Sequence, residues 1–188
     1  VKIGETYTDY SQGSVRQTGG TYDLALSGSG FFAVSVTDKA GEVHTRYTRD
    51  GRFHLTKDGL LVDADGNAVQ GQNGNITIDP SSKNVSISAT GQITADGELV
   101  DTLNIVDFED YDYLKKYGDT MYEPVDGATT KDAEGEILQG YTEQSNVNVV
   151  REMVDMITIT RAYEASQKVI HSYDSMLDKS VNQVGALK

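Results

Sequence analysis

The sequence has no cysteine and no tryptophan, only two prolines and three histidines in 188 residues. Without cysteine there are no disulfides, no thiol nucleophile and no thiolate metal site. No run approaches the roughly 18 apolar residues that a membrane-spanning helix needs, so the chain is not expected to insert in a membrane. Residues Val1–Tyr10 are polar and mixed and carry no signal-peptide pattern. Positive charge is scarce: 16 Lys and Arg against 29 Asp and Glu give a net charge of -13 and a pI near 4.5. Such a surface lacks the electrostatic footprint that phosphate requires, which excludes nucleic acid as a partner. What is present is enough apolar material for a core, 37% of residues, at a mean hydropathy of -0.44.

The charge is unevenly placed. Residues 149–188 hold five bases and five acids, so the whole imbalance lies in residues 1–148, with 11 bases and 24 acids. Glycine divides in the same way: of 19, only Gly185 falls in the last forty residues. Two regions with different physics are therefore expected, a β-rich domain over 1–144 and a helical segment over 145–188.

The first region reads as short strands. Asp23–Ser27 alternates, Gly28-Ser29-Gly30 turns, and Phe31–Val36 follows. Further β-branched and aromatic runs are 43–47, 52–55, 60–62, 76–78, 85–87, 92–94 and 103–108. Asp-Gly recurs at 50–51, 58–59, 65–66 and 96–97, which predicts tight hairpins with type I′ turns. There is no helical crossover pattern, so the expected fold is mainly β: an antiparallel sandwich or barrel-like domain of short hairpins. Residues 111–117 suggest a short helical turn, and 124–140 a loop with one hairpin.

The second region reads as one long helix of coiled-coil type. Val149, Met156, Tyr163, Ile170, Leu177 and Val184 recur every seven residues, and neither Gly nor Pro interrupts 141–184. A 3.5-residue period is the seam of a left-handed supercoil. Asn148 or Asn146 fits the N-cap, with Glu152 in the first turn and Lys179 toward the end, matching the helix dipole. At ~1.5 Å per residue the helix is roughly 54 Å long. The β domain cannot cover that length, so the stripe needs another helix, and none is predicted in the rest of the sequence. The seam is the candidate subunit interface.

Motifs for chemistry are weak. Gly28-Ser29-Gly30-Phe31-Phe32-Ala33 fits G-x-G-x-x-A, but a dinucleotide site needs a helix N-terminus where Phe31–Val36 reads as a strand. Asp63-Ala64-Asp65-Gly66-Asn67 resembles a calcium loop, yet the sixth and twelfth positions hold Ala68 and Gly74. His44, His54 and His171 indicate no third metal ligand. There is no G-x-S-x-G, P-loop or H-E-x-x-H. Asn75-Ile76-Thr77 and Asn84-Val85-Ser86 fit the glycosylation pattern, which is common by chance. No catalytic residue, cofactor or metal site is expected. A carbohydrate-binding or carbohydrate-active β module is the alternative, resting on Tyr111, Tyr113, Tyr117 and Tyr122 as a candidate aromatic cluster.

Several blocks in one order carry a resemblance. Leu24-Ala25-Leu26-Ser27-Gly28-Ser29-Gly30-Phe31-Phe32-Ala33-Val34 resembles the L-x-I-x-G-x-G-F-F-x-V segment of bacterial flagellar rod and hook proteins. Tyr47-Thr48-Arg49-Asp50-Gly51-Arg52-Phe53 resembles their Y-T-R-D-G-x-F segment, followed by Asp58-Gly59-Leu60-Leu61-Val62. Gln139-Gly140-Tyr141 and Ser145–Val150 resemble the start of their C-terminal helix, with Glu152–Ile157, Arg161–Glu164 and Asp174–Leu177 following in the family's order. The blocks span 24–177. Residues 139–150 and the modest middle region are most similar to the distal rod subunits.

The resemblance implies a non-enzymatic structural subunit of the flagellar basal-body rod. Copies would assemble helically, with one another and with other rod and hook subunits, and transmit torque. Export through the flagellar type III apparatus would account for the missing cleavable signal. In the family an N-terminal helix pairs with the C-terminal one, and Val1-Lys2-Ile3-Gly4 resembles sequence downstream of that helix. An export adaptor using the helix as a docking arm is a further alternative.

Overall fold

A computed structural model describes residues 7–38 and 40–180, and these described residues form seventeen strands, one 3₁₀ turn and one helix. Two compact units, Val1–Asn146 and Val147–Lys188, are distinguished. The first strands are β1 (Val15–Gln17), β2 (Leu24–Ser27), β3 (Phe31–Thr37), β4 (Val43–Thr48), β5 (His54–Leu55) and β6 (Leu61–Val62). Next come β7 (Ala68–Gly71), β8 (Gly74–Asn75), β9 (Val85–Ile87), β10 (Gln92–Ala95), β11 (Glu98–Thr102) and β12 (Ile105–Phe108). After the 3₁₀ turn Tyr111–Tyr113 follow β13 (Leu114–Tyr117), β14 (Met121–Pro124), β15 (Thr130–Asp132), β16 (Glu136–Gln139) and β17 (Tyr141–Glu143). Helix α1 is Val149–Lys179.

Every strand pairing is antiparallel. The largest sheet runs β13-β14-β4-β3-β7-β6-β5, with β12 also on β3, β15 on β12 and β8 on β7. It stays open rather than closing into a barrel. Smaller sheets are β11-β10-β9, β16-β2 and β1-β17.

Strand β3 is the centre. Its period of two sends Phe31 and Phe32 to opposite faces, and Phe31 through Val34 are all buried. Phe32 and Val34 join the main core with Leu24, Leu26, Leu61, Val69, Ile76 and Ile93. Phe31 joins a second cluster with Phe108 and Leu114, against which Tyr10, Tyr47, Tyr111 and Tyr122 pack. In this cluster the Phe31 ring meets those of Phe108, Tyr111 and Tyr122 edge-on at 5.5–6.1 Å, a preferred geometry for aromatic pairs.

The expected type I′ turns form at one Asp-Gly only, where Asp96 (φ 51) and Gly97 (φ 91) are both left-handed. At 58–59 and 65–66 glycine alone is left-handed, and Gly51 is not. At 58–59 and 65–66 the reason is a different loop, used four times among the described residues, in which a residue's N–H bonds the carbonyl four positions on while glycine in between bonds back. The pairs are Asp38 and Glu42 with Gly41, Thr56 and Leu60 with Gly59, Asp63 and Asn67 with Gly66, and Ser88 and Gln92 with Gly91. The opening side chain accepts a loop N–H in each case, as when Asp63 Oδ1 takes those of Asp65 and Asn67. That accounts for the calcium-like sequence at 63–67 as turn chemistry.

Other expectations also shift. Residues 76–78 bury Ile76 and Ile78 but form only an isolated bridge, Leu60 with Thr77. Residues 111–117 are one 3₁₀ turn and then a strand, and the expected loop 124–140 contains β15 and β16.

Candidate assembly interface

Helix α1 starts at a capped end. Asn148 Oδ1 accepts the Arg151 N–H at 3.1 Å, satisfying one of the free donors of the first turn. Glu152 lies in the first turn and Lys179 in the last, each favourable to the dipole. At ~1.5 Å per residue the 31 residues span about 46 Å. None of them is buried. Val149, Met156, Tyr163, Ile170 and Leu177 are 59–68% exposed. Val184, the sixth seam position, lies outside the described residues.

Asn146, the other cap candidate, does different work. Its amide donates to the Asp9 and Ser11 carbonyls, each at 3.1 Å. It belongs to a clasp in which the chain's first described stretch lies beside the last residues of the β unit. β1 pairs with β17 in the register Val15 with Glu143, Arg16 with Thr142 and Gln17 with Tyr141. Gln144 N–H continues the ladder to Ser14 O at 2.8 Å.

Arg49 ties this clasp to the core. Its Nε donates to Glu143 Oε2 at 3.0 Å, and its Nη2 lies 2.9 Å from the same oxygen in an ion pair. Its Nη1 donates to the carbonyls of Gly28 and Gly30 at 2.9 and 2.8 Å. Glu143 Oε1 meanwhile accepts the Gly13 N–H at 2.9 Å. One guanidinium thus joins the β2–β3 turn to β17, and one carboxylate joins β17 to the stretch before β1. Gln12 adds a further tie, accepting the Gly28 N–H and donating to Leu26 O. Gly51, in the same sequence block as Arg49, lets the backbone pass Leu24 so closely that a Cβ there would strike the Leu24 carbonyl.

A second set of polar groups pins the hairpins beyond β12. Asp107 is fully buried, accepts from Tyr111 Oη at 2.7 Å, and faces Lys131 Nζ at 3.1 Å. Burial alone raises its carboxyl, but hydrogen bonds, led by the one from Tyr111, outweigh that and hold it below the usual range. Tyr111 is pushed up to about 12, first by burial and then by its bond to Asp107. Burial likewise raises Tyr10, Tyr22, Tyr47 and Tyr122.

The four tyrosines of the carbohydrate alternative do not share a cleft. Tyr111 and Tyr122 pack into the second core cluster, and Tyr117 lies over the Arg46 guanidinium at 4.8 Å. A cavity of about 550 Å³ bordered by Leu103, Ile105 and Lys131 is lined by none of them. His44 does meet Asp38 and Glu42, at 3.6 and 3.9 Å, on the exposed β3–β4 hairpin. Asp38 Oδ1 there accepts the loop N–H groups of Ala40 and Glu42, which hold its carboxyl below the usual range.

The clasp was not derivable from periodicity, although Arg49 sits inside one of the quoted sequence blocks. Comparison with known proteins converges on the same two regions. Residues 25–95 match the model of the flagellar hook protein FlgE/F/G D1 domain. Residues 138–184, covering β17 and α1, match that of the flagellar basal body rod FlgEFG protein C-terminal region. The flagellar basal-body rod protein FlgG of Buchnera aphidicola subsp. Schizaphis graminum is 36% identical over 183 residues, 90% of this chain and 68% of that protein. FlgG of Agrobacterium fabrum is 35% identical over 181 residues, 89% and 66% of the two chains. The rod protein FlgF of Caulobacter vibrioides is 34% identical over 181 residues, 95% and 72%.

Proposed function

This chain belongs to the flagellar basal-body rod protein family, as a structural subunit of the basal body, and we propose that α1 carries its assembly function. The observation behind this reading is the seam itself. Large apolar residues recur every seven positions along a helix with no buried residue. Covering one such side chain contributes ~1.5–3 kcal/mol, so the five described seam residues supply ample drive for association.

In this reading Val149, Met156, Tyr163, Ile170, Leu177 and Val184 form the axial subunit contacts. Copies assemble helically, distal-rod-like, with one another and with other rod and hook subunits. Subunits reach the site through the flagellar type III export apparatus, and torque passes through packing without catalysis. The β unit serves as the outer, solvated part, in keeping with the confinement of the acidic excess to residues 1–148. The Arg49–Glu143 clasp then has a mechanical meaning, because it holds the last strand before the helix to the core through which load passes.

The test is complementation of a flagellated strain lacking its own copy. Ile170→Asp with Leu177→Asp abolishes rod assembly and motility while near-UV circular dichroism shows a native β unit. Motile cells carrying both changes would overturn the proposal.

A further inference from the structure

Folding of the β3–β4 hairpin gives His44 the companion ligands that the spacing of the histidines does not. The register pairs Val36 with His44 and Thr37 with Val43, so the ladder ends where the loop 38–42 begins. Glu42 and His44 are two residues apart, the spacing that puts side chains on one face of an extended chain. Asp38 comes to the same place from the other side of the loop. His44 Nε2 lies 3.6 Å from Asp38 Oδ2 and 3.9 Å from Glu42 Oε2. One ligand atom of each residue falls within 4.8 Å of the other two.

The separations from the imidazole are too long for hydrogen bonds, which span roughly 2.7–3.2 Å. They are close to what ligands of one ion require. At ~2.1 Å from a tetrahedral centre, neighbouring ligand atoms stand about 3.4 Å apart. A small turn of the Glu42 side chain, which is 75% exposed, closes the difference. Asp38 need not move. Its Oδ1 accepts the N–H groups of Ala40 and Glu42, each at 2.8 Å, and its Oδ2 is the oxygen nearest the imidazole. Outer hydrogen bonds of this kind orient ligands in metal sites. The side chains of His44 and Asp38 are 39% and 36% exposed, so an ion has a path in.

We propose that Asp38, Glu42 and His44 bind one divalent transition-metal ion of the zinc class, with water completing its coordination. Two carboxylates balance the charge of a divalent ion. The imidazole selects the class, because calcium and magnesium take oxygen ligands whereas zinc accepts nitrogen and oxygen together. The bound ion ties the two ends of the loop 38–42 and so clamps the hairpin whose first strand, β3, is the centre of the largest sheet. The site lies within the first unit and uses none of the seam residues, so its failure leaves the assembly reading untouched.

The test is zinc titration of the full chain, followed by NMR of the imidazole side chains and by calorimetry. His54 and His171, the other two histidines, serve as internal controls. Zinc shifts the His44 resonances saturably at one ion per chain, ahead of the other two, and magnesium in the same excess shifts none. Asp38→Asn keeps an oxygen for the loop N–H groups and loses the ligand oxygen. It weakens zinc binding at least about tenfold, the loss that changes outside the ligand set already cause. Glu42→Gln does the same, and His54→Ala leaves binding unchanged. His44 resonances that stay in place overturn the proposal and leave the three groups an ion-pair cluster. Equal shifts at all three histidines mean an adventitious ion only, and magnesium competing on equal terms means attraction by acidic charge alone; either overturns it. So does undiminished affinity in the Asp38→Asn, Glu42→Gln double variant. The NMR titration uses the unaltered chain, so it decides the matter even where a variant misfolds.

Discussion

Replacing Arg49 with alanine tests whether the clasp holds the β unit together. The change removes what is, among the described residues, the only cation bonded to Glu143, whose side chain is 11% exposed, and strips the Gly28 and Gly30 carbonyls of a charged donor. Removing one partner of a buried ion pair costs about 3–5 kcal/mol, because the other charge stays buried. Arg49 itself is 22% exposed, so water can reach part of the vacated site and the lower end applies, about 3 kcal/mol. Against a total of roughly 5–15 kcal/mol for a domain, that is a large fraction, and at ~2–4 °C per kcal/mol it lowers Tm by roughly 10 °C. Arg49→Lys keeps the charge but cannot reach Glu143 and two carbonyls at once, and loses about half as much.

The assay is urea unfolding followed by near-UV circular dichroism of the tyrosines. A lower midpoint with an unchanged slope reports lost stability rather than altered compactness. Glu143→Gln keeps an acceptor for the Gly13 N–H and removes the charge. The Arg49→Ala, Glu143→Gln cycle is then expected to show a coupling of about 2 kcal/mol. A cost below about 1 kcal/mol for Arg49→Ala, the range of solvent-exposed ion pairs, or strict additivity in the cycle, refutes the clasp as a structural tie.

Three further outcomes are expected. Folding depresses the Asp107 carboxyl, so its contribution to stability is intact above the unfolded value near pH 3.8 and is lost as pH falls through the folded value; Asp107→Asn removes that acid-limb dependence in unfolding titrations. Folding raises Tyr111 to about 12 from 10, so its contribution is intact below pH 10 and lost toward pH 12, and absorbance titration finds Tyr111 ionising late, earlier in Asp107→Asn but still delayed by burial. Gly51→Ala drives a Cβ into the Leu24 carbonyl and destabilises the β unit by about 1–3 kcal/mol in the same urea assay, whereas Gly66→Ala meets open space and costs only the strain of a left-handed alanine, about 1–2 kcal/mol.

How much of this could be read from the sequence depends on where each residue's partner lies. Phe31–Val36 was legible as a strand because a doubly buried strand is apolar throughout. β1 and β15 were not, since every residue in them is exposed and their pairing is set by β17 and β12, which periodicity cannot connect to them. Residues 76–78 show the converse: Ile76 and Ile78 alternate inward, yet the backbone bonds of this stretch go to Gly59, Leu61 and Val69 in turn, so the pattern records burial without a ladder. Arg49 and Glu143 are 94 residues apart, and only the surrounding sequence block marked the arginine at all. The assembly surface inverts this relation. Among the described residues of its own unit helix α1 packs on nothing, so its periodicity is the record of what covers it, and that record is more detailed than a seven-residue count conveys. A stripe with one partner keeps its flanking apolar residues on one side throughout. Here they change sides, from Val150, Met153, Val154 and Ile157 to Ala162, Val169, Tyr173 and Met176, across Thr158–Thr160, where two hydroxyls bond back into the helix. No single straight neighbour could cover both halves, and the segment whose sequence looked most uniform therefore demands two different contacts.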